Sequence, residues 1–210
     1  MTSRSSTKAQ ATRARILEAA RQELSRDPDS SLGDIAEAAG VARRTIYGHF
    51  AGRAALVGGL VADAGEAVRR ASAAVARAPT PDPVTALARF VLTLWPVGDR
   101  FRTLITLAHR DLGPDRVGAL LGPARDTAAE ILARGQQQGV FHTVVPPGPL
   151  TRALEAHLLA LLDSVNSGLW TDDGTAAATA ALIAVGVNSD LATATVHRLH
   201  TRTGQPQPSR

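Results

Sequence analysis

Apolar positions recur along this chain at helical spacing. Ile16, Leu17, Ala19, Ala20 and Leu24 share one stripe with Arg13, Arg15, Glu18 and Arg21 set between them, which predicts an amphipathic first helix. Asp27-Pro28-Asp29 ends it, because proline lacks the amide a continuing helix needs. Ser31 then offers an N-cap hydroxyl, and Asp34 puts a carboxylate in the next helical turn, where the helix dipole favours it. A short second helix is predicted over Leu32 to Ala39, burying Ile35, Ala36 and Ala39, and Gly40 can take the left-handed conformation that closes it. A third follows from Ala42 to His49, with Val41 and Ile46 as apolar anchors. Two short helices joined by a tight turn containing glycine make a helix-turn-helix.

The pattern continues into a longer helix from Arg53 to about Ala78, with Leu56, Leu60, Ala64, Ala67, Val68 and Ala71 on one face, before the break at Thr80-Pro81-Asp82-Pro83. Further helices are predicted over Pro83 to Pro96, Asp99 to Asp111, Pro114 to Gln138, Pro149 to Leu169, Thr175 to Val185 and Ser189 to His200. The expected organisation is all-α. A helix-turn-helix head occupies residues 1–55, with residues 1–10 a disordered arm that is basic over Ser3 to Thr7; a helical body occupies 56–200 and a disordered polar tail 201–210.

Composition supports helices, since only 3% of the 210 residues are aromatic. The absence of cysteine excludes disulfides, thiolate nucleophiles and cysteine-based metal sites. No apolar leader opens the chain and no stretch reaches the ~18 residues a membrane span needs, so a cytoplasmic protein without a membrane partner is expected. No phosphate-binding glycine loop or nucleophile elbow is present, so no enzyme activity and no cofactor are expected. His197 and His200 lie three apart with no carboxylate near them but Asp190, and read as a solvated helix end rather than a metal site. Charge is more informative. The formal net charge of +4 divides into +3 over residues 1–55 and +1 over the rest, and Ala38 to Ala62 carries Arg43, Arg44 and Arg53 with no acidic residue. A polyanion can approach that stretch without repulsion.

The segment from Leu32 to Leu56 resembles the DNA-binding head of the TetR family of regulators. Asp34-Ile35-Ala36, Ala39-Gly40-Val41, Thr45-Ile46-Tyr47 and His49-Phe50 match that family's pattern in order and spacing, and the likeness extends over about Thr12 to Leu60. At the start of a reading helix, Arg43 and Arg44 are placed to grip a guanine and Thr45 to touch a base or a thymine methyl. The resemblance implies that Tyr47, His49 and Arg53 donate to phosphates, and Ser31 at the head of the second helix is counted with them. Taken singly, Tyr47 packed on the first helix, His49 as a surface residue and the arginines as a solvated face are alternatives. Ala51-Gly52 stands where the family commonly has Pro-Ser, Ala54 where it has Glu, and Gly48 leaves a gap in the reading helix.

For the body, the resemblance implies an inducer pocket and a homodimer formed by two long helices, here Pro149 to Leu169 and Thr175 to Val185. The partners implied are a palindromic double-stranded operator, a second copy of the chain and a small-molecule inducer. Leu154, Leu158, Leu159, Leu162, Val165, Leu169 and Leu182 are the expected interface residues, with double-sided burial inside one chain as the alternative. Phe90, Trp95, Phe101, His109, Phe141, His157 and Trp170 are the rare large or amphipathic groups from which a pocket could be lined, His157 being the strongest polar candidate.

Overall fold

A computed structural model of the chain describes residues 2–78, 80–112 and 118–203. Its helices, in chain order, are α1 (Thr2–Arg26), α2 (Leu32–Ala38), α3 (Arg43–His49), α4 (Arg53–Arg77), α5 (Pro83–Arg100), α6 (Arg102–Leu112), α7 (Gly122–Gln137), α8 (Pro147–Asn166), α9 (Thr175–Ala184) and α10 (Ser189–Thr203). Residues 118–120 are also helical, and no strand occurs among the described residues. The fold is all-α. None of the described helices is long and apolar enough to cross a membrane.

The helices form two compact units. One comprises Met1–Gly65 and Thr103–Leu120, the other Glu66–Arg102 and Leu121–Arg210, so α4 and α6 each run from one unit into the other. The first unit therefore reaches past the expected head boundary at residue 55. Leu56, Val57 and Leu60 of α4 are buried, and Asp111 and Arg110 of α6 bond within the head, Arg110 to the turn after α1, which draws both segments into it.

In this unit α1 contributes Ile16, Leu17, Ala20 and Leu24 to the buried set, α2 contributes Ile35 and Ala36, and α3 contributes Ile46. The helical arrangement α1–α2–α3 is close to the expected one, with ends shifted by a residue. The N-terminal arm is a correction. Residues expected to be disordered continue α1 back to Thr2; Lys8 to Arg15 holds no glycine or proline, and its three alanines and two arginines propagate a helix already nucleated on the buried face.

The second unit is built on α5, which packs against α7, α9 and α10, while α8 packs on α7 and α9. Its core gathers Leu87, Phe90, Val91, Trp95, Leu132, Phe141, Leu154, Leu162, Ala181 and Leu182. Asp82 caps α5, accepting hydrogen bonds from the amides of Val84 (3.1 Å) and Thr85 (3.0 Å), and Pro83 sits at the first helical position, where no amide is needed. The expected stop at Pro96 is corrected as well. Pro96 lies inside α5, on an exposed face, and the burial of Trp95 beside it, with its indole N–H donating to the Asp172 carbonyl at 3.2 Å, holds the helix through a residue that would otherwise end it. At the other end of the core, Gly135 in α7 lets the Phe141 ring lie directly on the helix backbone. The expected helix start at Pro114 and the tail beyond Thr203 lie outside the described residues.

Candidate nucleic-acid interface

The reading helix is positioned from its neighbours upward. Ser31 caps α2: its hydroxyl accepts from the amides of Gly33 (3.2 Å) and Asp34 (3.3 Å), and the Asp34 carboxylate accepts from the Ser31 amide at 2.8 Å, closing a capping box. These bonds hold the Asp34 carboxyl below its ordinary range, the Ser31 amide first and its hydroxyl second, with the Arg43 charge helping. At the far end Gly40 takes φ +60°, and the amides of Gly40 and Val41 return to the carbonyls of Glu37 and Ala36, so the chain turns sharply into α3. Ile46 is fully buried beneath α3, and Phe50 closes it from below, with the guanidinium of Arg13 over its ring at 5.1 Å. With Ile46 fixed inward, the positions that remain outside are Arg43, Arg44, Tyr47 and Gly48.

Arg44 is exposed on this face, and Tyr47 is 56% exposed. Thr45 and His49 are half-buried at the edges of the same helix, with His49 tilted against Phe50 at 6.5 Å between centroids. Arg43 is exposed but lies back over α2, so close to Gly33 that a Cβ there would meet its Nη2 at 2.5 Å. A bare Gly33 is what lets this arginine cross the first turn of α2 beside Asp34.

Two residues do not stand where the sequence reading put them. The Ser31 hydroxyl is engaged in the capping box, including its own donation to Asp34 at 2.8 Å, and so orients α2. The Arg53 guanidinium points inward: Nε donates to Asp111 Oδ2 at 3.2 Å, Nη1 to the Ser30 carbonyl at 3.0 Å and Nη2 to the Pro28 carbonyl at 2.5 Å. A cation at the start of α4 suggests a phosphate contact from sequence. Its acceptors, one of them 58 positions away, carry no local sequence signal.

In the second unit, Phe90, Trp95 and Phe141 are members of the buried core, and Phe101 is buried under the Arg100 guanidinium. Trp170 is half-buried and stands edge-on to Trp95 at 6.2 Å. The side chain of His109 lies outside the described residues. His157 on α8 has its Nε2 buried without a hydrogen-bond partner among the described residues, and so does Ser72 Oγ on α4, a group that only its register between Ala71 and Val75 could have flagged. The expected interface leucines separate sharply. Leu154, Leu162 and Leu182 are buried within their own unit and are unavailable to a partner, which corrects their assignment; Leu158, Leu159 and Val165 are half-buried, and Leu169 is 83% exposed. The paired leucine stripe on α8 serves the monomer core with one edge and reaches solvent with the other. His200, read as a solvated helix end, meets Asp173 at 3.5 Å.

A capped helix-turn-helix whose outward face is basic and free of acid is a DNA-reading device, and the protein that carries it on an all-helical body is a transcriptional regulator. Residues 16–60 match the sequence profile of the bacterial regulatory proteins, tetR family. Over these residues the chain is similar to the TetR family. Among solved structures it is similar to the TetR family regulator PfmR of Thermus thermophilus (22% identity, 83% of this chain and 95% of that one, TM-score 0.67). It is also similar to the TetR-like regulator LfrR of Mycobacterium smegmatis (27%, 75% and 85%, 0.59) and to NalD of Pseudomonas aeruginosa (23%, 81% and 92%, 0.55). No curated protein matches the chain in sequence.

Proposed function

We propose that the chain is a homodimeric repressor that reads a palindromic operator with α3 and leaves it when a small molecule binds the second unit. The observation that carries the DNA half is the outward face of α3, where Arg44 and Tyr47 stand exposed within a stretch, Ala38 to Ala62, that holds no acidic residue. Arg44 and Thr45 face bases in this reading, and Tyr47 and His49 face phosphates. Two copies would set their reading helices ~34 to 36 Å apart, one helical turn of DNA.

Support for the ligand half is Nε2 of His157, in an otherwise leucine-rich helix, a buried polar atom with no hydrogen-bond partner among the described residues that a ligand hydroxyl or carbonyl could satisfy. Structural neighbours lend weight to it: the LfrR structure contains proflavine, a RolR structure contains resorcinol, and NalD is described as the secondary repressor of a multidrug efflux pump. Ligand binding would act through α4, which passes from one unit to the other. Leu158, Leu159, Val165 and Leu169 are the residues left to meet a second copy.

Operator affinity measured over a salt series tests the interface. Each phosphate neutralised by a cationic side chain contributes about 0.9 to the slope of log affinity against log salt. Tyr47→Phe is expected to weaken binding at an unchanged slope, because its hydroxyl is uncharged, and Arg44→Ala to weaken it and relax sequence preference. Affinity that ignores salt, or that neither substitution changes, contradicts the assignment.

A further inference from the structure

The inward guanidinium of Arg53 has no place in the DNA contacts just described, and its surroundings say what it does instead. Three of its five N–H groups are committed to acceptors on two separate segments: the carbonyls of Pro28 and Ser30 in the turn between α1 and α2, and the Asp111 carboxylate on α6. Its side chain is 31% exposed and that of Asp111 only 14%. The other oxygen of Asp111 is held by Arg110 Nε at 3.0 Å, and Arg110 Nη1 reaches Asp29 Oδ1 in the same turn at 3.1 Å. The turn is thus gripped on both sides by arginines that share one carboxylate. It is also the segment that delivers Ser31, and with it the capping box that aims α2 and α3.

We propose that Arg53 is a positioning residue for DNA reading rather than a phosphate ligand: through Pro28, Ser30 and Asp111 it fixes the turn from which the helix-turn-helix is hung. The requirement is geometric. A fork of donors can span two carbonyls and a carboxylate at once, and a lysine ammonium, though equally charged, cannot. The inference rests on α3 being the reading helix, and wild-type binding with its salt slope checks that separately.

The test compares Arg53→Lys, Arg53→Ala and Asp111→Asn with the wild type in operator binding over a salt series, with amide hydrogen exchange of the free proteins alongside. A positioning role predicts that Arg53→Lys and Asp111→Asn each weaken binding about tenfold (about 1.4 kcal/mol) at an unchanged salt slope. Both should also speed exchange at residues 29–35. A phosphate ligand predicts the opposite: lysine keeps wild-type affinity, alanine lowers the slope by about 1.8 for two copies of the contact, and Asp111→Asn has no effect or tightens binding. That second pattern overturns the proposal, and so does wild-type affinity in both conservative variants. Loss of binding by Arg53→Ala through misfolding leaves these comparisons intact, because they are read on the lysine and asparagine variants.

Discussion

Gly135→Ala sets two effects of known size against each other. Replacing a glycine inside a helix by alanine ordinarily stabilises by about 0.5–1 kcal/mol, since the unfolded chain loses freedom. At this position, however, the new Cβ would lie 2.0 Å from Cδ2 and 2.3 Å from Cε2 of Phe141. That ring cannot step aside. It is a member of the closed core of the second unit, and its own amide returns to the Gly135 carbonyl at 3.2 Å. Overpacking of this kind costs about 1–3 kcal/mol, so the clash wins and the substitution should destabilise by about 1–2 kcal/mol. In a Phe141→Ala background, itself about 3–5 kcal/mol less stable, the clash is gone and Gly135→Ala should stabilise by about 0.5–1 kcal/mol. Urea unfolding followed by tryptophan emission suits the measurement, because both tryptophans, Trp95 and Trp170, belong to the second unit. Stabilisation by Gly135→Ala in the wild-type background, or the same sign in both backgrounds, would show that the Phe141 contact does not decide the outcome.

Other outcomes follow from the same geometry. Ser31→Ala removes the cap of α2 and should cost about 1 kcal/mol, read as earlier unfolding of the head and weaker operator binding; no change in either would show the capping box to be idle. Asp34 has a folded-state value below its ordinary 3.8, so the stability it contributes is present above that value and lost as pH falls through the lower folded one. Acid titration of α2 amide exchange should show protection falling only below about pH 3.8, and the Asp34→Asn variant should lack that step. Gly174 takes φ +101° with Trp95 3.0 Å from where a Cβ would sit, so Gly174→Ala should cost at least about 1–2 kcal/mol and shift tryptophan emission. Leu182→Ala should cost about 2–5 kcal/mol in unfolding, while Leu169→Ala, at a side chain 83% exposed, should change stability by under about 0.5 kcal/mol and be felt only in self-association.

The head was legible because its signals are local. Ser31 and Asp34 three apart, Gly40 after an apolar run, and Ile46 between polar neighbours each state their role within one helical turn, and the structure uses all of them so. What sequence could not show is long-range. Arg53 looks like a free cation until the fold brings Asp111 to it, and Leu162 looks like an interface residue until α5 covers it at Gly98, whose absent Cβ would meet Leu162 at 2.7 Å. Pro96 and the start of α1 went the other way. There a local rule, that proline stops helices and that polar termini fray, yielded to the anchoring of Trp95 and to simple propagation from the buried face of α1.

That α3 reads duplex DNA from its exposed basic face is tested most directly by selecting bound sequences from a random duplex pool in parallel for the wild type, Arg44→Ala and Tyr47→Phe. The wild type should yield a palindromic motif, Tyr47→Phe the same motif bound more weakly, and Arg44→Ala a motif that has lost its preference at one symmetric pair of positions. An identical motif and affinity from all three, or no enriched motif from the wild type, would contradict a reading role for α3.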